Sequence, residues 1–170
     1  MASDLTVAKT AVSIRQAAKG DAQIVCDLLD DLVRTLRNAP PCGSTVETIR
    51  HHGFGDKRQF EALIAEAEGT PAGLVLYFYT YSTWRGCLGV YVQDLHVVER
   101  FRGQGLGRRL LADAARRGRA DGCTHLRLSV DPGNEAALTF YEAVGLEPRR
   151  DETICQAADE AFHQLAEDRR

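Results

Sequence analysis

Apolar residues in the first third of the chain recur at helical spacing. Ile24, Val25, Leu28, Leu29, Leu32 and Leu36 fall on one face, and Asp21 stands where a helix cap belongs. A short strand, Val12 to Gln16, precedes them. Asn38-Ala39-Pro40-Pro41, with Gly43 beyond, breaks the helix. Ser44-Thr45-Val46-Glu47 then matches a capping box, so a second, shorter helix starts there and ends near Gly53-Phe54-Gly55.

The period changes to that of strands over Phe60 to Glu68 and Gly73 to Thr83, with a turn at Gly69-Thr70-Pro71-Ala72 that makes the pair an antiparallel hairpin. Gly89 to Val98 is a further strand. Leu106, Leu110, Leu111, Ala114 and Ala115 restore the helical period from Gly105 to about Asp121. His125 to Val130 reads as a strand. Asn134 to Val144 reads as a helix, capped by Asn134 and stopped by Gly145. A last strand is expected around Thr153 to Ala157, followed by a C-terminal helical tail. The order β-α-α-β-β-β-α-β-α-β implies an α/β (α+β) fold, a mixed sheet with helices on its faces.

The length of 170 residues suits a single domain, with a core from about 12 to 157 and a tail over 158–170. Nothing approaches the run of about 18 apolar residues that a membrane span needs, and Met1 to Val12 lacks the pattern of a secretory signal. The five cysteines are scattered and never form a C-x-x-C pair, which argues for reduced thiols and against a structural zinc site. A cytoplasmic protein without a metal is the expectation. His51 and His52 are read as a solvated loop pair.

Charge sharpens the picture. Seven arginines and one acid lie between Arg100 and Arg119, a block of +6 on a chain of −3, so the remainder carries −9. A local basic block on an acidic protein fits a small polyanion better than a nucleic acid. Part of that block is the loop Arg102-Gly103-Gln104-Gly105-Leu106-Gly107-Arg108, between a strand and an amphipathic helix. Glycines there expose backbone N–H groups, the helix dipole adds positive potential, and Arg102 and Arg108 add charge, which together cradle a phosphate or pyrophosphate. The loop lacks the Lys-[Ser/Thr] of a Walker motif. Arg108 stands where the dinucleotide fingerprint needs its third glycine.

The pattern R-x-x-G-x-G, Arg102 to Gly107, resembles the coenzyme A pyrophosphate loop of the GNAT superfamily of N-acetyltransferases. Asn134-Glu135-Ala136-Ala137-Leu138-Thr139-Phe140-Tyr141 resembles the helix that follows it there. Tyr77 to Trp84, Val92-Gln93-Asp94-Leu95 and His52-Gly53-Phe54-Gly55 are most similar to the diamine (spermidine/spermine-type) acetyltransferases and their bacterial relatives. The resemblance implies a mostly antiparallel sheet that splays after its fourth strand, and acetyl-CoA as cosubstrate. Its binding would use Leu95, His96, Val97, the loop Arg102 to Arg108 (Gly103, Gln104, Gly105, Leu106 and Gly107 included) and Asn134. It also implies a homodimer and a small-molecule amine acceptor.

Acetyl transfer to an amine has two proton problems. The ammonium, of pKa ~10.4, must lose a proton, and a thiolate must be released. Tyr141 matches the family's acid, with a core aromatic as the alternative. The family's usual glutamate is replaced by Gln93, which cannot take a proton. Asp94, His96 or solvent is left to do so, and alternation puts Gln93 and Asp94 on opposite faces unless a bulge intervenes. The row Tyr77, Tyr79, Tyr81 either faces the amine channel or simply packs. With neutral Gln93 and Ser82 in place of acids, a small diamine or lysine-like amino acid is expected. The alternatives are a catalytically weak acetyl-CoA-binding module and transfer to an antibiotic or protein amine.

Overall fold

Five strands form one sheet in the order in which they occur: β1 (Val12–Gln16), β2 (Glu61–Ala67), β3 (Thr70–Ser82), β4 (Cys87–Val97) and β5 (His125–Leu128). The first four run antiparallel and β5 joins β4 in parallel. The computed structural model describes residues 11–36, 39–149 and 151–167. It divides the chain into two compact units, one ending at Ser129 and one beginning at Val130. The whole sheet belongs to the first.

Helices α1 (Ala22–Thr35) and α2 (Val46–Phe54) share a core with Ala62, Ile64, Leu74 and Leu76 on one face of the sheet. The other face receives α3 (Leu106–Ala120), whose Leu106, Leu110, Leu111, Ala114 and Gly118 are buried. A methyl group at Gly118 would overlap Val90 of β4, so the glycine is what lets helix and strand meet there. The second unit contains α4 (Glu135–Ala143) and α5 (Asp159–Glu167).

Local chemistry shifts several expected boundaries. The β2–β3 connection is a two-residue turn, Glu68 and Gly69, at φ 52° and 75°, and not the four residues 69–72. Thr70 and Pro71 are already in β3. The ladder tolerates Pro71 because its register shifts there, pairing Glu66 with Pro71 and Ala65 with Gly73. Asp21 does not cap α1 with its side chain. Its carboxylate accepts from Arg15 at 2.7 and 2.9 Å and from the Ala18 N–H at 2.7 Å.

The capping box of α2 sits one residue later than read: Thr45 is the cap and Thr48 its reciprocal partner, so Glu47 is not used. His51 and His52 lie in the last turn of α2 rather than in a loop. Thr153–Ala157 is exposed and forms no strand. A strand needs a neighbour for its backbone groups, and the second unit's described elements are helices alone. The tail beyond residue 167, and Asn38 in the predicted helix break, lie outside the described residues.

Candidate functional site

The register of β4 against β3 changes at Gln93. Tyr77 pairs with Val92 and Leu76 with Asp94, which leaves Gln93 as an extra residue on β4. The bulge reverses the alternation that follows. Val92 shares the face of Tyr77, whereas Asp94 shares the face of Leu76, toward α1 and α2. In an unbulged ladder Gln93 would pair with Leu76 and Asp94 would point to α3. Gln93 itself is exposed. Asp94 is half-buried and has no hydrogen-bond or ionic partner among the described residues. Burial alone pushes its carboxyl above the usual carboxylate range.

β5 pairs with β4 only from Gly89 to Val92. Past that point β4 has a neighbour on its β3 side and none on the other among the described residues, as in the splay that the resemblance implies. Leu95 and Val97 are half-buried. His96 is 3% exposed and turns toward α1, where its Nε2 lies 2.8 Å from an Asp31 carboxylate oxygen. Its ring is therefore engaged with Asp31. Sequence reasoning missed Asp31. The available signal was an acid on the inward edge of α1, one residue before Leu32, but nothing in the sequence pairs it with residue 96.

The chain leaves β4 for Arg102–Gly107. Gly103 and Gly105 adopt left-handed conformations, φ 75° and 77°, and open space surrounds the position of an added Cβ at each. Their role is conformational: these φ values turn the chain so that α3 starts directly at Leu106. Gly105 caps that helix without a side chain, so the first-turn N–H groups of Leu106, Gly107 and Arg108 face an uncapped end. Leu106 is buried beneath them against Ala67 and Ala72. Arg102 donates its Nε to the Val97 carbonyl at 2.9 Å, tying the loop to the end of β4. Arg108 is exposed with no partner among the described residues, and Gln104 is exposed beside it.

Four of the other five arginines of the block make contacts of their own. Arg109 donates to the Val12 carbonyl, Arg117 to Gln16, Arg116 to Asp113, and Arg100 lies over the Phe101 ring. The tyrosine row also serves the fold. Tyr77 is 1% exposed and lies on the α3 face, and the Tyr79 hydroxyl donates to Asp121 at 2.6 Å just past the end of α3. Tyr81 is exposed.

In the second unit, the Asn134 side chain accepts from the Ala137 N–H at 3.1 Å and starts α4 as expected. Its amide oxygen is thereby used for capping. Tyr141 is half-buried, its ring 5.3 Å from that of Phe140, and burial pushes its phenol above the usual value. It stays protonated across the neutral range. Among the described residues no cluster of His, Cys, Asp or Glu is arranged to hold a metal ion, and no helix is long and apolar enough to cross a membrane.

Residues 27–146 match the acetyltransferase (GNAT) family. Thialysine N-epsilon-acetyltransferase of Bos taurus is 33% identical over 142 residues, covering 79% of this chain and 83% of its own. Spermidine/spermine N(1)-acetyltransferase-like protein 1 of Homo sapiens is 26% identical over 78% of this chain and 20% of its own length. Among solved structures, the aminoglycoside N-acetyltransferase AAC(6')-Iy in complex with CoA superposes with a TM-score of 0.72 at 20% identity, covering 89% of this chain and 98% of that one.

Proposed function

The chain belongs to the GNAT acetyltransferase family and is an acetyl-CoA-dependent N-acetyltransferase, and on that premise we propose that its acceptor is the side-chain amine of a small lysine-like amino acid or diamine, with Asp94 as the base and Tyr141 as the acid. The observation that carries this reading is Asp94: a half-buried carboxyl with no cation beside it among the described residues. An incoming ammonium would be its counter-ion. The neutral Gln93 and Ser82 favour an acceptor with fewer positive charges than a long polyamine. The thialysine enzyme among the relatives acts on an acceptor of that kind by its name.

The chain's residues suit acetyl-CoA. The left-handed glycines, the uncapped start of α3 and the unpartnered Arg108 form a concave set of donors for a diphosphate. Leu95, His96 and Val97 offer, on the side away from β3, a main-chain edge with no strand beside it among the described residues. Arg102 holds the loop through Val97, and Gln104 adds an amide at its rim. Bound acetyl-CoA supplies an activated acetyl group and a thiolate leaving group.

The chain's own groups then manage the protons. Asp94 takes a proton from the ammonium, directly or through a water held by Gln93. The freed amine forms its N–C bond at the acetyl carbon as the C–S bond breaks, and the nitrogen then releases its second proton to solvent to leave the neutral amide. Tyr141 gives its phenolic proton to the sulfur and is reprotonated from solvent. Both pKa directions suit these tasks. A carboxylate raised above its normal range is a better proton acceptor, and a phenol kept neutral is a ready donor. The same reading treats both units as one catalytic domain acting as a cytoplasmic homodimer, for which light scattering is the direct measurement.

Release of the CoA thiol across putrescine, spermidine, spermine, lysine, thialysine and an aminoglycoside tests the acceptor. Lysine-like amines or short diamines are expected to turn over fastest. Equal turnover of spermine and a simple lysine analogue would reject the charge argument. Acetyl-CoA binding with no turnover of any amine would reject the acceptor class.

A further inference from the structure

His96 is the one buried polar or charged residue of the core among the described residues. It stands opposite Leu74 in the ladder and next to an aliphatic cluster that includes Leu28 and Leu74. Packing alone would be served better there by an apolar residue, because a buried imidazole requires a partner for its polar edge. The partner is Asp31, 2.8 Å away on α1, whose side chain is 39% exposed and can remain hydrated on its far side. A hydrogen bond fixes direction and distance where an apolar contact fixes only proximity. Asp31 also lines a groove of about 330 Å³ with Arg34, Val98 and Arg100, so it bridges the solvent face of α1 and the interior of β4.

The place of this bond on β4 matters. From Asp94 to Val97 the strand has lost β5 and is held laterally by β3 alone. A second restraint comes from Gly73: a Cβ there would stand 2.7 Å from the His96 carbonyl oxygen, so the two main chains are in close approach. His96 is thus clamped through its backbone by β3 and through its ring by α1. Asp94 is two residues away on the same face, a separation of about 6.6 Å along a strand.

We propose that Asp31 and His96 form a positioning pair for the transfer reaction: Asp31 acts through the imidazole ring to set the height of Asp94–Val97 above the sheet. This rests on the reading of β4 as the strand that carries the base and lines acetyl-CoA. Neither side chain touches a reacting atom. Displacing the segment misplaces the Asp94 carboxylate and the main-chain edge together.

The test combines steady-state kinetics with amide hydrogen exchange on the full chain. Asp31→Ala and His96→Phe are each expected to lower kcat about tenfold, the scale of a sub-ångström misplacement. The double variant should be no worse than either single one. Asp31→Asn, which keeps an oxygen facing the ring, should recover at least half of the lost kcat. Asp27→Asn, on the same helix, should leave it unchanged. Exchange of the Asp94–Val97 amides should accelerate in Asp31→Ala while α3 stays protected.

Additive losses in the double variant would overturn the pairing, as would failure of Asp31→Asn to rescue. A kcat loss that vanishes well below each variant's melting temperature would reduce the bond to ordinary stability and overturn the proposal. Titration of acetyl-CoA into the wild-type protein separates the two levels. Binding and turnover with unaffected variants sink the pair alone, whereas absence of binding sinks the reading of the site on which it rests.

Discussion

Asp94 stands opposite Leu76, while Tyr77, the next residue of β3, stands opposite Val92. The bulge at Gln93 therefore puts Val92 and Asp94, two residues apart, on opposite faces of the sheet. Deleting Gln93 should remove the bulge and leave Asp94 opposite Leu76, on the face it already occupies. Asp94→Asn is expected to lose on the order of 10²-fold in kcat, the usual contribution of a positioned proton-transfer group, and the deletion variant, which keeps the carboxylate on its face, should lose less. Gln93→Ala, which keeps the bulge, should lose much less. Thiol-release kinetics on the three variants checks the order.

The direction of the Asp94 shift also fixes a stability trend. Its folded-state pKa lies above the unfolded value of ~3.9, so the native state holds the proton more tightly. The group favours the native state below that value, and this advantage is lost as pH rises through the raised folded pKa. Asp94→Asn should therefore raise the melting temperature at neutral pH and leave it nearly unchanged near pH ~3. In the wild type, kcat/KM should fall on the acid side through the same raised pKa, and the variant should lack that limb.

Tyr141→Phe removes a proton donor and little volume. A loss of about 10²-fold in kcat is expected, with KM for acetyl-CoA changing by less than about threefold. Because burial raises the phenol, wild-type activity should not lose a proton donor until above pH ~10. A pH profile of kcat for both proteins is the measurement. Unchanged kcat in the variant would leave Tyr141 a core aromatic.

Gly105 has open space around its missing Cβ, so Gly105→Ala is a test of conformation without a clash. Holding alanine at φ 77° costs about 1–2 kcal/mol. The expected outcome is a modest loss of stability and a rise of about tenfold in KM for acetyl-CoA, as the loop relaxes away from the geometry that aims its N–H groups. Chemical denaturation and KM measured together separate the two effects.

Arg15 bridges Asp21 and Glu66, and joins β1, β2 and the turn before α1. Chiefly through the Arg15 hydrogen bond, Asp21 is held below the usual carboxylate range. Its contribution is fully present above pH ~4 and is lost as pH falls through the depressed folded value. Asp21→Ala should cost about 2 kcal/mol at neutral pH in urea denaturation, and less in acid.

The glycine loop, the helix after it and the capping of α4 by Asn134 were legible because each depends on neighbours in sequence. The five strands of the sheet were legible within a few residues for the same reason, since period and turn residues are local, whereas the strand expected at Thr153–Ala157 did not form. Three things were not. Asp21 and Ser44 were assigned by cap rules, but Arg15 claimed the first carboxylate by a contact formed only on folding, and Thr45 with Thr48 made an equivalent box one residue later. The bulge at Gln93 leaves no local mark, because register is a property of two strands. The His96–Asp31 bond joins residues 65 positions apart, and an acid on an amphipathic helix reads like any solvated one.

Where β5 stops pairing with β4, the far side of β4 becomes a second free edge of the sheet among the described residues. A partner there need not be peptide. An amide-bearing chain such as the pantetheine of acetyl-CoA could lie along it as a surrogate strand, recognised by hydrogen-bond spacing and not by residue identity. The side chains of the same stretch are thereby released from recognising it, and Asp94 and His96 point to the α1 face. A single strand can in this way divide its labour, with the main chain reading the donor while alternate side chains handle protons and posture. Substitution at Leu95 or Val97 should accordingly alter the packing around the donor long before it alters the donor's identity.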